Sequence, residues 1–106
     1  MIDEQTERNV RYFLKSLSED YIEKSIYLKG MDFDTVPLSK ILDAIGALNK
    51  HIKELMNDKT RDHMEVFDEV SSLQNVFVKI TSNPSVSYAL LQDGIAKATK
   101  YTGGNN

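Results

Sequence analysis

Leu38-Ser39-Lys40-Ile41-Leu42-Asp43-Ala44-Ile45-Gly46-Ala47-Leu48-Asn49-Lys50-His51-Ile52-Lys53-Glu54-Leu55 sets Leu38, Ile41, Ile45, Leu48, Ile52 and Leu55 at steps of 3, 4, 3, 4 and 3. Residues three and four apart share a helix face, so the stretch predicts one amphipathic helix whose stripe is buried against other helices. Pro37 suits its first turn, where a missing N–H costs little, and the helix runs to about Asn57. Asn49 lies at the edge of the stripe. A polar residue there either fixes helix register or partner number or stands exposed on the flank.

Upstream, a first helix is predicted from about Glu4 to Leu28, with Asp3 as N-cap and Gly30 as the left-handed stop. Val10, Phe13, Leu14, Leu17, Tyr21 and Leu28 share its inner face. Ile22 and Ile26 lie more than roughly 100° around from Val10. Either the helix breaks near Ser18, with Ser18 capping a short second helix, or its C-terminal half meets a second apolar partner. The reading favours one long helix.

Downstream, Asn57-Asp58-Lys59-Thr60 is a short polar connection with Thr60 as the expected cap of the next helix. That helix buries Val66, Val70, Leu73, Phe77 and Ile80. Its end, residues 76–80, is rich in β-formers but has no partner strand in the sequence, so it is read as helical. Pro84 starts a last helix, with Tyr88, Leu91, Ile95 and Ala98 inward and Val86, Leu90 and Tyr101 opposite. Gly94 marks either a close helix approach or a weak point. The expectation is an all-α, compact antiparallel four-helix bundle: a single domain over residues 1–102 and a flexible tail over 103–106. The first helix, at ~38 Å, would outrun the last, at ~27 Å.

With 106 residues, 41% hydrophobic and 27% charged, the chain has the composition of a globular domain. No apolar run approaches a membrane span. The start, Met1-Ile2-Asp3-Glu4, is acidic where a signal peptide would be basic, and there is no cysteine. A cytoplasmic location is expected. Thirteen basic residues against sixteen acidic ones leave a net charge of −3, without the basic footprint of non-specific nucleic-acid binding. Arg8, Arg11 and Lys15 gather locally but are flanked by acids and read as a solvated face.

Asp32-Phe33-Asp34-Thr35-Val36 resembles the Asp-x-Asp-x-Thr/Val string of haloacid-dehalogenase-like phosphatases. The resemblance would make Asp32 a nucleophile and Asp34 an acid/base at the end of a buried strand. Here a helix end, Tyr27 to Met31, precedes the string, and the chain is short for that fold. The string therefore reads as a loop in which Asp34 or Thr35 caps the following helix and Phe33 packs into the bundle end. His51 and His63 lack the convergent spacing of a metal site and read as surface histidines. No catalytic set, metal site or cofactor is expected, and the chain is not read as an enzyme.

Ser39 to Leu55 also resembles the helix-turn-helix family over about seventeen residues. Gly46 would be the turn glycine, and Asn49, Lys50 and Lys53 would face the major groove. That register strands Leu48 in solvent, whereas a continuous helix buries it. The preferred expectation is a protein-interaction module (a small adaptor, assembly factor or inhibitor) that self-associates through helix faces. Its expected contact residues are Ile22, Ile26 and Tyr27 on the first helix, with Val86, Leu90 and Tyr101 as a second patch. The alternative is a small DNA-binding regulator.

Overall fold

Among the apolar positions of the quoted stretch, Ile41, Ile45, Leu48, Ile52 and Leu55 are buried, Leu42 joins them, and Leu38 is half-buried. They lie on α3 (Leu38–Met56), an uninterrupted helix. The computed structural model describes residues 2–17, 19–23 and 25–103, with the side chains of 19, 20 and 99–103 excepted. Within it, α3 packs mainly on α4 (His63–Thr81), whose Val70, Leu73, Val76 and Ile80 are buried. Residues 76–80 are helical, as read, and Val76 adds a buried position that the 4, 3, 4, 3 stripe omits.

The elements preceding α3 are α1 (Glu4–Ser16) and α2 (Glu19–Glu23). The expected single helix to Leu28 is thus not formed. Leu17 leaves α1 in extended backbone, at φ −69° and ψ 142°. After α2 the chain runs through turns, with Leu28 N–H and Lys29 N–H donating to the Ser25 carbonyl and Gly30 at φ +74°. A straight helix would have held Ile22 and Ile26 off the core-facing side. The break re-aims the chain so that Ser25 and Leu28 become fully enclosed. Whether Ser18 caps α2 lies outside the described residues.

The last element, α5 (Pro84–Gly103), touches α1, α3 and α4. Its phase is opposite to the one expected. Val86 and Ala89 are fully buried and Leu90 packs against the core, whereas Tyr88, Leu91 and Ile95 are 47%, 61% and 51% exposed. The Asn83 side chain accepts from the Ser85 and Val86 amides at 2.9 and 3.3 Å, and Ser85 Oγ accepts from Asn9 on α1 at 3.2 Å. These contacts hold the first turn of α5 with Val86 inward. Gly94 does not serve a close helix approach, because a Cβ there would meet nothing within 4 Å.

All regular structure among the described residues is helical. The five helices make one compact body of 42 × 40 × 21 Å. The thin dimension is about two helix diameters, so a helix in it keeps one side toward solvent. No helix is long and apolar enough to cross a membrane.

Capping departs from expectation twice. Asp62, not Thr60, caps α4 by accepting from Met64 N–H at 2.9 Å, while Thr60 donates its amide and hydroxyl to Asp58. Pro37 caps α3 without a side-chain hydrogen bond, so neither Asp34 nor Thr35 serves there. Asp3 caps α1 as read, accepting from Thr6 N–H at 2.8 Å. The Thr6 side chain and then its amide hold the Asp3 carboxyl below the usual aspartate range. A lowered folded value means the contribution is present above the unfolded value near ~4 and is lost as pH falls through the folded one. Asn caps about as well as Asp but does not titrate. Thermal unfolding of Asp3→Asn is therefore expected to track the parent above pH ~4 and to show a shallower loss below it.

Candidate functional site

The loop bearing the phosphatase-like string is held by α1 rather than displayed for chemistry. Arg11, its side chain 17% exposed, donates through Nη1 to the Phe33 carbonyl at 2.8 Å and the Val36 carbonyl at 2.7 Å. Its Nε reaches Glu7 at 3.3 Å. Lys15 pairs with Asp34 at 3.0 Å, and Asp32 accepts from Asp34 N–H at 2.9 Å. That amide bond, followed by the Thr35 side chain, lowers the Asp32 pKa. Both carboxyls are exposed, and the string forms a turn with no buried strand before it. Phe33 is buried in the core, as read. Arg11 and Lys15 are therefore loop clamps, not a uniformly solvated face. Sequence reasoning missed this because their partners lie 22 and 19 positions away.

The two expected contact patches are placed differently from one another. Val86 is enclosed, Leu90 is half-buried against the core, and the side chain of Tyr101 lies outside the described residues. Ile22 packs against the core and lines a cleft of about 270 Å³ with Leu17, Met31 and Phe33. Ile26 and Tyr27 do come together, on the wall of a different cleft. On α3, Lys50 and Lys53 are exposed and Asn49 is half-buried. There is no turn at Gly46 and Leu48 is 1% exposed. The helix-turn-helix register is therefore not formed over residues 39–55.

Two features of the surface bear on function. The first is the cleft of about 370 Å³ lined by Ser25, Ile26, Tyr27, Leu48, His51, Glu69, Ser72 and Leu73. Tyr27 and His51 meet edge to face, with ring centroids 6.0 Å apart and an interplanar angle of 65°. His51 is thus half-buried, not the solvated outer residue expected. Glu69 pairs with Arg61 at 2.8 Å. Ser25 is fully buried, and its Oγ has no hydrogen-bond partner among the described residues. A buried hydroxyl without a partner costs ~1–3 kcal/mol. Ser25→Ala is therefore expected to stabilise the fold by about 1 kcal/mol, read as a higher urea midpoint at unchanged m-value.

The second feature is the outer face of α5, where Tyr88, Leu91 and Ile95 recur at steps of 3 and 4 and stand about half exposed. On the opposite side of α5, Lys97 pairs with Asp43 of α3 and with Asp93. Asp43 first, and Asp93 second, raise its pKa. Further apolar side chains, Met64, Phe67 and Val78 on α4 and Met56 at the end of α3, are each at least 60% exposed. Among the described residues no group of three or more His, Asp or Glu is placed to hold a metal ion.

Compared with protein-family models, curated proteins and solved structures, the chain matches none of them.

Proposed function

We propose that the chain is a non-catalytic protein-interaction module, an adaptor, assembly factor or inhibitor, that pairs with a second copy of itself through the outer face of α5. The frame under this reading is a four-helix bundle of α1, α3, α4 and α5 with antiparallel neighbours, joined by the short links at 57–62 and 82–83. The observation that carries the proposal is the stripe of Tyr88, Leu91 and Ile95 on a helix whose opposite face is already buried. A helix that is apolar on both sides is normally covered on both.

A two-fold pairing places Leu91, the middle of the stripe, next to its own copy. Fully burying a large apolar side chain gives ~1.5–3 kcal/mol. Six half-exposed ones therefore yield roughly 6 kcal/mol before the cost of association. That ceiling corresponds to a Kd of roughly 40 µM, and the cost of association weakens the pairing from there, so the dimer is reversible and forms only at high concentration.

Sedimentation equilibrium from 10 µM to 1 mM tests the reading. The wild type is expected to move from monomer toward dimer mass, and Leu91→Glu/Ile95→Glu to stay monomeric with unchanged helicity. A wild type that stays monomeric throughout, or a double variant that dimerises equally well, overturns it.

A further inference from the structure

We propose that the C-terminal half of α5 is a latched arm: residues 94–103 are held against α3 by the Lys97–Asp43 ion pair and open by unwinding from Gly94. The core packing of α5 ends one turn before that point. Val86 and Ala89 are enclosed and Leu90 packs against the core, whereas Ile95, Ala96, Lys97 and Ala98 are all exposed. Tertiary packing of an apolar face supplies most of a helix's stability in a protein, so it anchors the start of α5 and not its end. Gly94 stands at the junction. Glycine is a poor helix former, and here it gains no close approach in return, since a Cβ would meet nothing within 4 Å. Residues 94–103 by themselves are shorter than the roughly 12–15 residues at which isolated helices become even marginal in water.

The tie to the body is a charge cluster. Lys97 Nζ donates to the Asp43 carboxylate of α3, 54 positions away, and pairs at 3.0 Å with the Asp93 carboxylate one turn back on its own helix. The two pairs act differently. Asp93–Lys97 joins residues four apart and steadies the helix itself. Asp43–Lys97 joins the arm to α3. The Lys97 and Asp43 side chains are 54% and 58% exposed, so this tie is weak and is screened by salt. A weak tie shifts populations measurably where the segment it holds is close to opening already. One consequence rests on the pairing through α5 proposed above. Ile95 rides on the arm, whereas Tyr88 lies on the anchored part, so a closed latch keeps the stripe in one line and an open one removes its end. The latch itself belongs to the single chain and does not depend on pairing.

The test is millisecond hydrogen exchange of the full chain, read by mass spectrometry at 5 µM, where the chain is monomeric and the latch is read apart from pairing. In 20 mM NaCl, peptides over residues 94–103 are expected to exchange roughly 2- to 5-fold faster in Asp43→Ala than in the wild type. Peptides over residues 84–90 and over α3 are expected to keep their rates, since alanine is a good helix former at the exposed position 43. Raising NaCl to 1 M is expected to bring the wild-type arm close to the variant's rate and to change the variant little. Lys97→Gln, which loses the Asp93 pair as well, is expected to exchange at least as fast as Asp43→Ala. Four outcomes overturn the proposal: equal arm exchange in the wild type and Asp43→Ala, equal acceleration of both by salt, acceleration that extends through residues 84–90, or a wild-type arm that already exchanges at the unfolded rate.

Discussion

Val86→Asp is expected to unfold the protein or to cost at least ~3 kcal/mol, whereas Leu91→Asp, five residues along the same helix, changes stability by no more than ~0.5 kcal/mol. Val86 is fully enclosed at the start of α5, and a carboxylate there is cut off from water. Leu91 is 61% exposed, so a charge at that position stays hydrated. Urea denaturation of the dilute, monomeric chain reads both. The contrast runs against the sequence-based assignment, which put Leu91 inside and Val86 outside. Comparable losses at the two positions would mean that α5 is not set in the described phase.

Arg11→Ala carries the second large effect, a loss of about 2–3 kcal/mol. One guanidinium nitrogen serves two backbone carbonyls, Phe33 and Val36, and thereby pins the segment that turns the chain from Leu28 into α3. Hydrogen bonds with an ionised donor contribute more than neutral ones, and two carbonyls are stranded when it goes. Arg11→Lys is expected to recover less than half of the loss, because an ammonium lacks the planar fork that reaches carbonyls and Glu7 together. Hydrogen exchange locates the effect: protection at Thr35 and Val36, whose amides bond to the Asp32 carbonyl, should fall before that of Ile45 or Ile52. A uniform fall across α3 would instead mark Arg11 as a general stabiliser.

Helix positions were legible where one apolar phase excluded the others. Around α3, Ile45, Leu48 and Ile52 leave only polar or small residues on the far side, so spacing alone oriented the helix. α5 defeats the same rule, because Tyr88-Leu91-Ile95 and Val86-Ala89-Leu90 are two apolar faces of one helix. Bulk favours the first. The buried face is the second, where small Ala89 lets α5 approach its neighbours and Asn83 fixes the first turn. The break after α1 was legible only as an alternative, since Leu17 is apolar and its extended backbone is not written in periodicity. The cleft could be seen only in part. Ile26 stood out, with Ile22, as a residue that did not fit the first helix. The pairing of Tyr27 with His51, 24 positions away, and the approach of α4 needed the tertiary fold.

The most direct test of the account is a search for intermolecular contacts at α5. A sample mixed from ¹³C-labelled and unlabelled chains at 1 mM is expected to show isotope-filtered NOEs from the Leu91 and Ile95 methyls to the Tyr88 ring or to Leu91 of the other copy. Absence of such contacts at that concentration, or their appearance only at Met64 and Phe67 of α4, would contradict the assignment of the α5 face as the self-association surface.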